Sequence, residues 1–320
     1  MSIYSPLRLE PSLHTRVWGG RTLANRLGKT LPTAEPYGES WEIYWKNTLK
    51  TGGWAGKTLG EVIAADPLGM VGRADDGPEY PLLVKFLDSH DWLSVQVHPD
   101  DDWAQKLEGE PRGKTECWYV IAAEPGAQIA YGISEPLDAE GFRLAVQQGR
   151  AKSVMQYVNV APGDFIFVPA GTMHALGTGL LIYELQQTSD TTYRVYDWDR
   201  MGLDGKPRPL HLEKALAVTR YEVNPPAKVP YEALPGQARA RLIEGQYFGL
   251  EKITLRQDSA ALDTEGRRAH LLSCIQGEMR IEGAAFTPEP LRLGDSLFMP
   301  AGIGQYSLHG SGETLLAWAR

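Results

Sequence analysis

Cysteine is almost missing from this chain. Cys117 and Cys274 are its two thiols among 320 residues, too few for a disulfide scaffold or a thiolate zinc cluster. A reduced cytoplasm is the expected compartment. Basic charge is also scarce: 32 Lys and Arg stand against 40 Asp and Glu, a net charge of −8. That excludes a broad nucleic-acid-binding or anionic-membrane surface while leaving room for a small basic pocket. The opening residues, Met-Ser-Ile-Tyr-Ser-Pro, lack the basic stretch and apolar core of a secretory signal. The longest uncharged run, Phe165 to Tyr183, is broken by Pro169, Gly171, Gly177 and Gly179, so it reads as two strands and a turn rather than a membrane span. A glycine-rich phosphate loop and a dinucleotide fingerprint are both lacking, so no nucleotide cofactor is expected.

What the chain has in plenty is punctuation. Its 34 glycines and 22 prolines separate short apolar runs, the pattern of many short strands. Strands are expected at 40–45, 82–87, 92–98, 116–122, 128–131, 165–168 and 180–186, then at 248–255, 270–276, 279–282, 296–299 and 315–319. Helices are fewer. Thr58-Leu-Gly-Glu61 is a capping box that opens one, ending before Pro67. Others are expected at 100–107, at 138–148 with Gly149 as the stop, and at 210–218.

One segment occurs twice. Gly163-Asp-Phe-Ile-Phe-Val-Pro-Ala-Gly171 matches Gly294-Asp-Ser-Leu-Phe-Met-Pro-Ala-Gly302, each a turn, a strand and a Pro-x-Gly turn. A duplicated β-domain is the reading. The Pro-rich stretch Pro225–Pro235 is the most linker-like, which puts residues 1–225 in one domain and 226–320 in another. The first copy continues to His174, where the second has Gln305. One domain is therefore expected to carry a site and the other to lack its ligands.

The site candidates follow from spacing. Gln96 and His98, two apart in a strand, project to one face. Glu116 opens an apolar strand, and a buried glutamate calls for a partner or a metal. The run Gly163-x5-Pro169-x-Gly171-x2-His174 shapes a hairpin that aims one histidine inward. Two histidines, a glutamate and a glutamine make a mixed N/O set that suits zinc, and also iron, manganese, cobalt or nickel.

These residues make a family recognisable. The Gly163 to His174 pattern is similar to the second motif of cupins. Trp18-Gly-Gly, Glu39-Ser-Trp-Glu-Ile43, Pro81-Leu-Leu-Val-Lys-Phe, Leu93-Ser-Val-Gln-Val-His-Pro99, Gly113-Lys-Thr-Glu-Cys-Trp-Tyr119 and Ser189-Asp-Thr-Thr-Tyr-Arg-Val195 resemble type I mannose-6-phosphate isomerases of the short bacterial form. The resemblance spans roughly residues 5 to 220. It implies a mainly β fold of two cupin domains (double-stranded β-helix, jelly-roll) with short helical insertions. It further implies a zinc site of Gln96, His98, Glu116 and His174, with Lys114 and Arg194 in the substrate cleft. General cupins place the glutamate a few residues after a histidine pair; here residues 100–113 separate Gln96 and His98 from Glu116, a departure that this family shares. Longer members often have His-Lys-Pro-Glu where this chain has Gly113-Lys114-Thr115-Glu116, so a ring-opening histidine is not carried over. His90, water or another residue would substitute.

Such an isomerase moves a proton between C2 and C1 of mannose 6-phosphate and fructose 6-phosphate through a cis-enediolate. Arg194 is the expected stabiliser of negative charge. Lys114, with an expected lowered pKa, Glu184 and Asp190 are candidates for the proton transfer, with Asp190 also expected to pair with Arg194. Ser94, Lys85 and Arg16 are candidates for the phosphate, and Trp18 for the cleft wall. Cys117 reads as a small core residue, and His211 and His270 as structural. The expected partner is a phosphorylated hexose, bound by a monomer or small homo-oligomer, with neither nucleic acid nor membrane. The rival readings are another cupin metalloenzyme, such as a dioxygenase or a different sugar isomerase, and a non-catalytic sugar-binding bicupin.

Overall fold

A computed structural model describes residues 4–74, 77–221, 226–236 and 238–320. Antiparallel strands dominate, as the turn punctuation requires. A six-stranded sheet runs in the order Ser12–Gly20, Tyr37–Ile43, Leu82–Ser89, Leu180–Gln187, Glu116–Ala123, Phe165–Val168. A five-stranded sheet runs Tyr193–Tyr196, Val95–Val97, His174–Leu176, Gln128–Ile133, Met155–Asn159. Alternation along each strand decides the layers. Trp118, Val120, Ile166, Leu180 and Ile182 point inward from the first sheet and meet Ile129, Tyr131 and Leu176 of the second. The two sheets therefore close over one another as a jelly roll. The helices Ala139–Gln147 and Leu212–Val218 cover the back of the smaller sheet through Phe142, Ala145, Ala215 and Leu216.

The third sheet has eight strands. It includes Ser296–Met299, His270–Gly283, Gln305–Ala319, Phe248–Asp263 and Arg239–Glu244. Leu272, Cys274, Leu297, Met299 and Leu316 fill its interior. Their neighbours Leu271, Phe298, Leu315 and Ala317 face the other way. There they join Phe86, Cys117, Tyr119, Tyr183 and Leu185 from the back of the six-stranded sheet in one buried cluster. The two barrels thus share a core.

Several elements differ from the sequence reading. The strand at 248–263 is twice as long as expected and that at 305–319 three times, because polar residues interrupt them: Arg256-Gln-Asp-Ser259 and Gly310-Ser-Gly312 hide the alternation. The runs at 270–276 and 279–282 are one strand with a register shift between Cys274 and Gln276. The expected strand at 92–98 shortens to Val95–Val97, and Ser12–Gly20 was not anticipated. In the linker-like stretch, Pro225 lies outside the described residues. Val229 N–H donates to Phe165 O at 2.9 Å, so the segment runs along the barrel edge. Leu7–Arg8 pairs with Ser296–Met299, which places the start of the chain in the C-terminal sheet. Among the described residues no helix is long and apolar enough to cross a membrane.

Candidate metal centre and active site

Strand register assembles the site. On the six-stranded sheet Trp41, Lys85, Glu184 and Trp118 are direct cross-strand neighbours. On the facing sheet Arg194, Gln96, His174 and Tyr131 form the corresponding row. The rows meet: the Trp118 and His174 rings stand edge to face, 5.3 Å apart.

His98, Glu116 and His174 converge, with one ligand atom of each lying within 4.8 Å of the others. Each is about 1% exposed. His98 Nδ1 bonds Thr191 O at 3.0 Å and His174 Nδ1 bonds Thr172 O at 2.9 Å. A carbonyl only accepts, so both Nδ1 atoms carry the proton and both Nε2 lone pairs face inward. Burial lowers the pKa of both rings, His174 to about 4, so they remain neutral. Glu116 Oε1 lies 3.3 Å from His174 Nε2, and Oε2 lies 3.7 Å from His98 Nε2. Neither oxygen accepts a hydrogen bond of acceptable geometry, although the Lys114 ammonium lies 2.9 Å from Oε2. The Lys114 ammonium also lies 3.3 Å from His98 Nε2 and balances part of this charge; on the other side Glu116 Oε1 still faces the His174 Nε2 lone pair, an arrangement that favours a further cation. These residues fit a divalent metal. Gln96 stands beside this group: its amide nitrogen is 3.4 Å from His174 Nε2, while its oxygen accepts from Ser94 Oγ at 3.3 Å. A half-turn of the amide exchanges the two ends and offers oxygen to the group.

Beside the ligands lies a cleft of about 560 Å³. Lys85, 3% exposed, sits 3.3 Å from Glu184 Oε1 and 3.7 Å from Glu39 Oε2. Arg16 Nε and Trp41 Nε1 each donate to Glu39 at 2.6 Å, and Trp118 Nε1 donates to Glu184 at 3.0 Å. Burial would raise the pKa of Glu39, but Lys85 and Arg16 overcome it and hold the carboxyl at about 2. For Glu184, burial and then Glu116 outweigh Lys85 and Lys114, so its pKa is raised. The expectation for Lys114 is corrected. Burial pulls its pKa down, yet Glu116 and Glu184 more than compensate and the ammonium is held above its ordinary value.

Arg194 Nε donates to Ser94 Oγ at 3.2 Å and its guanidinium to Pro209 O at 2.9 Å. Its expected pairing with Asp190 does not occur; Asp190 is exposed at the cleft rim, where the two residues line the wall separately. His90 is exposed on the far side beside Asp88 and Gly179, outside the cleft, which removes it as a ring-opening candidate. Arg16, Trp18, Lys85, Ser94, Gln96, Lys114, Glu184 and Arg194 all line the cleft. Sequence reasoning assigned no role to Glu39 or Arg208, which also line it. Glu39 stood inside a quoted motif, and its position two residues before Trp41 was the available signal. Arg208 lies in a polar loop with no periodicity to expose it. His211, read as structural, exchanges backbone and ring bonds with the Arg194 backbone.

Residues 7–119 match the family model for the catalytic domain of type I phosphomannose isomerase, and residues 239–318 match that for the mannose-6-phosphate isomerase cupin domain. Mannose-6-phosphate isomerase ManA of Bacillus subtilis is 37% identical over 317 residues, 98% of each chain. The mannose-6-phosphate isomerase of Streptococcus mutans is 38% identical over 315 residues, 97% of each chain. A crystal structure of a Bacillus subtilis mannose 6-phosphate isomerase matches with a TM-score of 0.90 at 32% identity, covering 98% of this chain and 99% of that one. A variant phosphomannose isomerase from Salmonella typhimurium shares the fold, with a TM-score of 0.81 at 18% identity. Near-full-length relatives and two family models agree with the buried imidazole–carboxylate group: this chain belongs to the type I phosphomannose isomerases.

Proposed function

We propose that this chain interconverts mannose 6-phosphate and fructose 6-phosphate, and that the cleft beside His98, Glu116 and His174 is where it does so. The observation that carries the reading is the buried Glu116 carboxylate, with Lys114 as its ion-pair partner, facing two imidazole rings beside a cleft that Gln96 and Lys114 line. Gln96, His98, Glu116 and His174 would hold a divalent ion, zinc in our reading, with other first-row metals suited to the same N/O donors. Such an ion supplies Lewis acidity toward the carbonyl and hydroxyl oxygens of an open-chain sugar.

The remaining chemistry belongs to side chains. The reaction removes the proton from C2, passes through a cis-enediolate and returns a proton to C1. We assign that proton to the Glu184 carboxylate. It is buried, its proton affinity is raised, Trp118 holds Oε2, and Oε1 has only the Lys85 ammonium 3.3 Å away, whereas Asp190 is exposed at the rim and is placed against substrate hydroxyls. Lys114, held protonated, is a donor to the developing oxyanion, and Arg194 carries the enediolate's negative charge. Lys85 is occupied by Glu39 and Glu184, so it orients carboxylates. The substrate phosphate is assigned to Arg16 and Arg208, which line the cleft with Ser94 and with Trp18 in the wall. We divide the chain into a site-bearing part, 1–225, and a C-terminal cupin part, 226–320, in which Gln305 replaces the ligand histidine. Cys117 and Cys274 are buried free thiols, which suits a reduced cytoplasm.

The test is an isomerase assay on mannose 6-phosphate with wild type and Arg194→Ala. Turnover is expected in the wild type. The variant should lose at least about 100-fold in kcat, while its thermal midpoint stays within about 3 °C. Losses of equal severity in both quantities would make Arg194 structural, and no turnover in the wild type would remove the reading.

A further inference from the structure

The C-terminal barrel holds a cavity of about 620 Å³, close in size to the cleft of about 560 Å³ in the first barrel. Register makes the two equivalent. Glu116 pairs with Val168 in the first barrel, and His270 pairs with Met299, the repeat's counterpart of Val168, in the second. His174 pairs with Gln96, and its counterpart Gln305 pairs with Asp263. Asp263, His270 and Gln305 all line the second cavity.

The equivalent positions no longer gather around a point. The Glu265 N–H donates to Asp263 Oδ1 at 2.7 Å, and His270 Nδ1 bonds the Tyr306 hydroxyl at 2.8 Å. Cations stand over the mouth instead. Arg239 is bound to the buried Glu251 at 2.7 Å. Arg268, half-buried, lies 4.8 Å over the Trp318 ring, and Arg241 is exposed. Among the described residues neither of these two guanidinium groups has an ion pair. Trp318 is 3% exposed, lines the cavity, and its Nε1–H has no acceptor. Burial, with Arg268 and Arg239 nearby, lowers the His270 pKa to about 3, so its ring is a neutral hydrogen-bonding group. Four carboxylates also line the cavity, but each has a partner: Glu244 pairs with Arg320, Glu251 with Arg239, Glu265 with Arg267, and Asp263 accepts from a backbone N–H. The two guanidinium groups left without an ion pair, with the unsatisfied indole donor and the neutral His270 and Gln305, describe a site for an anion that carries hydroxyls.

We propose that this cavity is a second small-molecule site that takes a phosphorylated sugar, its phosphoryl group on Arg268 and Arg241 and its hydroxyls toward His270, Gln305 and the Trp318 N–H. The site is separate from the isomerase cleft and does not depend on the reaction assigned there.

The experiment is calorimetric titration of the metal-loaded protein with mannitol 6-phosphate, which has no carbonyl to isomerise, and separately with inorganic phosphate. Two equivalents of mannitol 6-phosphate per chain are expected in the wild type and one in Arg268→Gln, with isomerase kcat/KM changed less than twofold. Arg241→Gln, at an exposed position, should weaken the same event about tenfold without touching the fold. Inorganic phosphate should bind the Arg268-dependent site at least tenfold more weakly than the sugar phosphate. The same number of equivalents at unchanged affinity in the wild type and in Arg268→Gln would overturn the site; a single equivalent that Arg268→Gln abolishes would uphold it and tell against the isomerase cleft instead. Equal affinity for phosphate and sugar phosphate would overturn its assignment to a sugar.

Discussion

His174 shows how a ligand position is prepared by burial. Its folded pKa of about 4 lies below the ordinary 6.5, so the unfolded chain binds the extra proton first as the medium is acidified. The stabilisation is complete above pH 6.5 and is lost as pH falls toward 4, by about 3 kcal/mol for this ring alone. His98 and His270 are lowered in the same direction. Glu39, at about 2 against 4.5, acts only in a lower window. The thermal midpoint of the metal-free protein should therefore drop steadily between pH 6.5 and 4, and a flat profile there would contradict the buried neutral rings. At this scale the sequence was most informative where a strand period or a motif spacing carried the residue. Gln96 and His98 share a face because they are two apart, and Glu184 shares its face with Ile182 and Gln186 and lines the cleft. Glu39 and Arg208 were not legible as cleft residues, since their roles depend on pairing with strands and loops distant in sequence.

Among elements, the helix Asp101–Glu108 does more than fill the insertion between His98 and Glu116. Asp100 caps it through Trp103 N–H, and Asp101 accepts from Gly113 N–H at 2.7 Å and from Gln187 Nε2 at 2.9 Å. The turn that presents Lys114 is thereby fixed to the neighbouring strand. A Cβ on Gly113 would stand 2.4 Å from the Asp100 carbonyl carbon and the Pro99 oxygen, both backbone. That clash is a physical reason why the histidine of longer family members has no place here. Gly113→His should lower stability by about 2 kcal/mol or more and reduce kcat together with it; unchanged melting and turnover would show that the turn yields. Capped helices were readable because capping chemistry is local: the Thr58–Glu61 box forms as read, opening the helix Leu59–Ala65. Long strands with polar middles were not, because bulges such as that between Arg256 and Asp258 break the alternation on which a strand reading rests.

For the whole molecule, the repeat announced two barrels. Gly163 and Gly294 occupy matching left-handed turns, with φ of 93° and 84°. It gave no sign that the barrels share a core, since apolar residues on the outer face of a strand look the same whether they meet a helix or another sheet. Leu315, fully buried in that shared cluster, is the place to test it. Leu315→Ala should cost about 2–5 kcal/mol and shift a single calorimetric transition to lower temperature. Two resolved transitions, only one of them moved, would contradict a common core.

The central claim is that Gln96, His98, Glu116 and His174 hold one ion on which turnover depends. The direct measurement is metal content and mannose 6-phosphate turnover on the same samples, before chelation, after it, and after a divalent metal is restored, for wild type and for His174→Ala. The account predicts one equivalent in the wild type, activity that disappears and returns with it, and neither in the variant. Full turnover by chain stripped of metal would contradict it.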